Sequence, residues 1–144
     1  MEKIEHLIFY SLDKAIKTYR QLAQTRLTDA GLDITVDQWL VMNVSRGNPE
    51  YNQQQIAEKV FKDNASVTRM IELLVKKGYM RQKTSKEDRR HTILIITDKG
   101  DSLMRSAERT VLSYRKKALK GVLATELIYA QATLNKIIAN CEKD

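Results

Sequence analysis

The sequence has little with which to break or staple a chain. One proline and five glycines among 144 residues leave long stretches able to run as uninterrupted helix, because these two residues most disfavour a helix interior. A single cysteine, Cys141, excludes an internal disulfide framework and fits a reducing, cytoplasmic setting. No apolar run approaches the roughly 20 residues that cross a bilayer; the longest obvious one covers residues 93–96. Glu2 and Glu5 stand where a signal peptide would carry a basic and then an apolar segment. The two histidines, His6 and His91, have no cysteine or paired carboxylate at ligand spacing, so no metal site is expected. No Ser-His-Asp set, phosphate-binding loop, dinucleotide fingerprint or acidic pair occurs, so neither an enzyme nor a cofactor is expected.

What is present is helical pattern and positive charge. Hydrophobic residues at 42% and charged residues at 30% are ordinary for a folded soluble domain, and the length suits one domain. The formal net charge is +7. Between Lys62 and Arg90 nine basic residues face four acidic ones, a local excess of +5, which leaves only +2 for the rest. Such a patch suits a polyanionic partner through Coulomb attraction and counterion release.

Apolar residues from Ile4 to Leu27 recur at helical spacing, with Gly31 placed to end the helix. Thr35 with Gln38 has the spacing of a capping box and opens a helix carrying Trp39, Leu40, Met42 and Val44. Asn52 with Gln55 repeats the pattern, with Ile56, Ala57 and Val60 inward. Asp63 then caps a helix in which Val67, Met70, Ile71, Leu74 and Val75 share one face, stopped by Gly78. Two short helices joined by three or four residues are the layout of a helix-turn-helix.

After Gly78 the period changes. Residues 79–84 and 92–97 are rich in strand formers and flank a charged stretch, predicting a hairpin. Thr97 is placed to cap the next helix, in which Leu103, Ala107, Val111, Leu112 and Tyr114 are apolar. Gly121 breaks it, and Leu123, Leu127, Ala130, Leu134, Ile137 and Cys141 then form a narrow seam near heptad spacing. On that seam Cys141 reads as a small buried hydrophobe rather than a redox sensor.

The middle third carries the chemistry. Asn64, Ser66, Thr68 and Arg69 fall in the first turns of a helix whose apolar residues face away, which are residue types that reach base edges in a major groove. Arg69 has the fork geometry to bind a guanine bidentately. The hairpin tip holds Asp88, Arg89 and Arg90; an arginine suits a narrow minor groove, and Asp88 is placed to hold Arg90 in position. His91 would lie at the wing base as a minor contact.

Asp88-Arg89-Arg90 followed by Ile96-Thr97-Asp98-Lys99-Gly100 resembles the Asp-x-Arg, apolar-Thr, Gly pattern of MarR-type regulators. Ser66 to Arg69, the run Leu74 to Tyr79, and Thr35 to Trp39 resemble the recognition helix, its exit into the wing, and the start of the second helix. The resemblance implies a mainly α fold with a small β-hairpin wing: a winged helix-turn-helix lobe over residues 35–100 and dimerisation helices over 1–31 and 101–144 of one domain. It implies a homodimer on a pseudo-palindromic operator in double-stranded DNA, usually a repressor released by a small ligand. Phe9, Tyr10, Trp39, Met42 and Tyr114 are candidates for a pocket taking a small aromatic or phenolic effector, although apolar residues at this spacing more often form plain core. One departure stands out: Phe61-Lys62 replaces the usual Gly-apolar pair before the recognition helix, and Lys62 becomes a candidate phosphate contact. The alternative is a winged-helix module that binds a protein partner without specific DNA.

Overall fold

A computed structural model describes residues 1–88 and 92–143. A short 3-10 turn at Ile4–His6 leads into α1 (Ile8–Asp29), α2 (Val36–Gly47), α3 (Gln53–Val60) and α4 (Asn64–Lys76). Two strands follow, β1 (Met80–Thr84) and β2 (Thr92–Ile96), then α5 (Asp98–Ala118) and α6 (Ala124–Glu142). The predicted mainly helical fold with one small hairpin is therefore the observed one. Two compact units emerge, Met1–Tyr114 and Arg115–Asp144, with the boundary inside α5.

The helix starts follow from local side chains. Thr35 accepts the Gln38 amide at 3.1 Å while Gln38 Oε1 accepts the Thr35 amide at 3.1 Å. Asn52 and Gln55 exchange the same pair of bonds at 2.9 and 2.8 Å. Each box satisfies two amides that the helix itself leaves open. The first helix departs from the expected single run from Ile4. Leu7 is extended, with φ −79° and ψ 135°, so α1 starts only at Ile8. The apolar spacing runs on across this break because a 3-10 turn also brings every third residue to one side.

The core of the first unit is a single cluster. Val41, Met42, Ile56, Val67, Ile71, Leu74 and Ala107 are fully buried in it, with Trp39 and Tyr114 nearly so. On α5 the buried stripe is Met104, Ala107, Val111 and Tyr114. Leu112, equally apolar, is exposed, because it lies about 100° around the helix from Val111. Tyr114 packs edge-on against Tyr19 of α1, with ring centres 5.6 Å apart. The strands pair antiparallel from Met80 opposite Ile96 to Thr84 opposite Thr92. Met80 and Leu94 are buried, while Arg81 and Lys83 are exposed on the alternate face of the ribbon.

The end of α4, the wing and the start of α5 meet at one junction. Gly78 takes φ +83°, and the Gly78 and Tyr79 amides donate back to the Val75 and Leu74 carbonyls at 3.0 and 2.9 Å. That is a helix stop built on a left-handed residue, and glycine adopts it at no steric cost. The Thr97 hydroxyl donates to the Gly78 carbonyl at 2.6 Å and accepts the Gly100 amide at 3.0 Å, capping α5. The Thr97 amide donates to the Tyr79 carbonyl at 3.1 Å. A Cβ on Gly100 would stand 2.1 Å from that same carbonyl oxygen.

The second unit holds the end of α5 and all of α6. The Leu123 amide donates to Glu126 Oε1 at 3.1 Å, so a carboxylate three residues on supplies half a capping box where Leu123 has no polar side chain. No residue of α6 is buried; Ile128, Tyr129 and Ile138 are among its exposed apolar side chains, and Cys141 is exposed as well. No described helix is long and apolar enough to cross a membrane.

Two substitutions check the backbone argument. Gly100→Ala forces the Tyr79 carbonyl to move and should cost about 3 kcal/mol in chemical denaturation. Phe61 is a non-glycine residue at φ +58° and its side chain is 92% exposed, so Phe61→Gly relieves left-handed backbone without losing packing and should stabilise by about 1 kcal/mol. An unchanged midpoint in either variant would contradict the geometry.

Candidate nucleic-acid interface

The helix-turn-helix is α3 and α4, joined by residues 61–63. Phe61, at the left-handed position after α3, performs the turn that a glycine would perform more cheaply. The Phe61 and Lys62 amides donate to the Glu58 and Ala57 carbonyls, closing α3. The Lys62 ammonium lies 3.6 Å from Asp37 at the start of α2, and Asp37 also binds Arg20 of α1. Lys62, a candidate phosphate contact, is thus already engaged with a carboxylate.

Asp63 caps α4. Its carboxylate accepts the Ser66 amide at 3.0 Å and the Ser66 hydroxyl at 2.5 Å. These two bonds, with the Arg69 guanidinium nearby, hold the Asp63 carboxyl below the ordinary aspartate value of 3.8. Ser66 in turn accepts a bond from Arg69 at 3.2 Å. Asp63, Ser66 and Arg69 therefore form one chain of contacts along the first turns of α4.

Asn64 and Thr68 belong to a second group. The Thr68 hydroxyl donates to the Asn64 carbonyl at 2.9 Å. Gln53, the first residue of α3, donates from Nε2 to Asn64 Oδ1 at 3.1 Å and to the Thr68 hydroxyl. The sequence reading did not single out Gln53. Its only local signal is a place beside Asn52 at a capped helix start, and its partners lie 11 and 15 residues away.

Asn64 and Arg69 are exposed and Ser66 and Thr68 half-buried, whereas Val67, Ile71 and Leu74 are fully buried. The expected division of α4 into a polar face and a packed face is what the fold contains. The exposed Arg81 and Lys83 of β1 and Lys76 of α4 add positive charge, and Lys77 is tied to Asp33 at 3.0 Å. Asp88 is exposed. Arg89, Arg90 and His91 lie outside the described residues. Of the candidate pocket residues, Trp39, Met42 and Tyr114 are buried in the core, while Phe9 and Tyr10 are exposed on α1.

Comparison with known proteins agrees with this architecture. The model of the MarR family matches residues 34–92, which run from the loop before α2 through the helix-turn-helix and β1 to the first residue of β2. BpsR of Bordetella bronchiseptica, solved in work on the regulation of its DNA binding by 6-hydroxynicotinic acid, is 18% identical, with 95% of this chain and 96% of that chain covered and a TM-score of 0.85. CouR of Rhodococcus jostii, bound to p-coumaroyl-CoA, is 19% identical over 95% of each chain, with a TM-score of 0.83. A mutant MarR of E. coli complexed with operator DNA is 20% identical, with 95% of this chain and 99% of that chain covered and a TM-score of 0.83. At these identities the likeness establishes the fold.

The Asp63 cap sets a pH dependence. Its carboxyl is lowered in the folded chain, so its contribution to stability is complete above the unfolded value and is lost as pH falls through the lower, folded one. The melting temperature should be insensitive to Asp63 down to about pH 5 and fall below it. In Asp63→Asn, which keeps a cap but not the titration, the acid drop should shrink; an identical pH profile would contradict the assignment.

Proposed function

We propose that this chain, a MarR-family protein through its winged lobe, is a cytoplasmic, homodimeric, sequence-specific DNA-binding regulator. It has no catalytic role and represses from a pseudo-palindromic operator until a small ligand releases it. The observation that carries this reading is the face of α4. Asn64, Ser66, Thr68 and Arg69 stand on a helix buried on its other side, next to a ribbon with exposed Arg81 and Lys83. A helix of this kind fits a major groove, where these side chains read base edges. Flanking cations bind phosphates, which fix register without reading sequence.

Each residue has a distinct part. Arg69 contacts a guanine, Asn64 and Thr68 read adjacent edges, and Ser66 holds Arg69 in place. In the wing, Arg90 enters the minor groove, with Asp88 bracing it and Arg89 beside a phosphate; for the two arginines this part of the reading rests on sequence alone. Lys62 reaches a phosphate only by leaving Asp37. Two copies of α4 one helical turn of DNA apart require a two-fold dimer. The apolar residues left exposed on α6, and Ile4, Ile8, Phe9 and Ile16 at the amino end, support that assembly. The ligands bound by, or regulating, BpsR and CouR support an aromatic acid or its thioester as the effector class.

Selection of genomic fragments by the purified protein, followed by sequencing, tests the reading. One enriched pseudo-palindrome is expected; no enrichment by an intact dimer would refute specific DNA binding and leave the protein-interaction alternative. On the selected site, Arg69→Ala should cost about 1–3 kcal/mol, and Arg90→Ala should weaken binding too. Affinity should fall by about one log unit per log unit of salt for each phosphate contact. Sedimentation at micromolar concentration should give the dimer mass, and a monomer would contradict the assembly.

A further inference from the structure

The contacts of Gln53 give it a part in recognition although it lies outside the recognition helix. It is the first residue of α3, half-buried, and its carboxamide nitrogen meets Asn64 Oδ1 at 3.1 Å, the Asn64 carbonyl at 3.4 Å and the Thr68 hydroxyl. Thr68 is itself tied to the Asn64 carbonyl at 2.9 Å. Four polar groups on two helices are thus linked, at the turn of α4 that carries its polar face.

The geometry has a chemical consequence. A carboxamide is planar, with an acceptor on one arm and two donors on the other. Because Gln53 donates to Asn64 Oδ1, the acceptor arm of Asn64 is turned toward α3 and its donor arm, Nδ2, points away from it. An unheld asparagine flips freely between presenting an acceptor and presenting donors, and it pays side-chain entropy when a base fixes it. We propose that Gln53 is a positioning residue for base recognition: it locks Asn64 and Thr68 so that Asn64 offers a donor to the major groove. The base edges that accept there are N7 of a purine, O6 of guanine and O4 of thymine, whereas the cytosine N4 amine cannot accept. The α3–α4 pair therefore selects against cytosine at the base that Asn64 meets.

This rests on the reading of the chain as a sequence-specific DNA binder, and one set of measurements separates the two. Wild type, Gln53→Ala, Thr68→Val, Asn64→Ala and the double variant Gln53→Ala/Thr68→Val are each used to select fragments. Affinities are then measured on the selected duplex, on duplexes with single base changes and on unrelated DNA. Wild type should enrich one site; if it enriches none, the DNA-binding reading fails first. Given a site, Gln53→Ala should lose about tenfold in discrimination at the same base pairs that Asn64→Ala relaxes. Its affinity for unrelated DNA and its salt slope should stay as in wild type, since Gln53 carries no charge. At the base pairs that Asn64 meets, the double variant should lose no more than the larger single loss, because both substitutions cut one network there.

A purely structural role for Gln53 would lower the melting temperature and weaken specific and unrelated DNA alike. That outcome overturns the proposal, as does Gln53→Ala with an unchanged base preference. Should Gln53→Ala fail to fold, Gln53→Met, which keeps the length of the side chain without its donor, decides instead. Relaxed preference at the Asn64 base pairs with unchanged affinity for unrelated DNA supports the linkage, and unchanged preference refutes it.

Discussion

The winged lobe is registered on one short contact, the Thr97 hydroxyl between the Gly78 carbonyl and the Gly100 amide. This single side chain ties the turn that ends α4 to the first turn of α5 and so fixes where the wing begins and ends. Lys99 adds to the lock, its ammonium 2.8 Å from the Lys77 carbonyl and 5.1 Å from the centre of the Tyr79 ring. With Gly100 pressed against the Tyr79 backbone, the three elements have no room to slide. The polar face of α4 and the cations of β1 are therefore held in fixed relation, which the proposed reading of two DNA grooves requires.

Much of this was legible because it is local. The boxes Thr35/Gln38 and Asn52/Gln55 and the Asp63 cap each close within three residues, so spacing alone identifies them. The apolar face of α4 and the strand pair are likewise set by short periods. The spacing of Thr97 and Gly100 is visible in sequence, but the reason for the glycine, a carbonyl contributed by Tyr79, belongs to the packed structure.

What escaped the sequence is non-local or carries no distinctive residue. The break at Leu7 has no glycine or proline to mark it. Met104 and Leu112 are equally apolar, and only the direction of the core sorts one inward and the other outward. Phe61 occupies a left-handed position with a residue that gives no hint of it. Gln53 looks like any polar residue at a helix start, and its partners become apparent only once α3 lies against α4. The polar face of α4 was readable as a set of residues, but not its division into Asp63–Ser66–Arg69 and Gln53–Asn64–Thr68.

The Asp37 carboxylate, shared by Arg20 and Lys62, bears on how ionic strength should be interpreted. Lys62 brings its own counterion, covalently attached to the protein. In the proposed complex Lys62 would leave Asp37 for a phosphate, and cation drawn back to the freed carboxylate would offset part of the counterion release from the duplex. A count of phosphate contacts taken from a salt titration would therefore fall short of the number of cations touching the duplex. The missing fraction would report the strength of a joint between α1, α2 and the turn into α4.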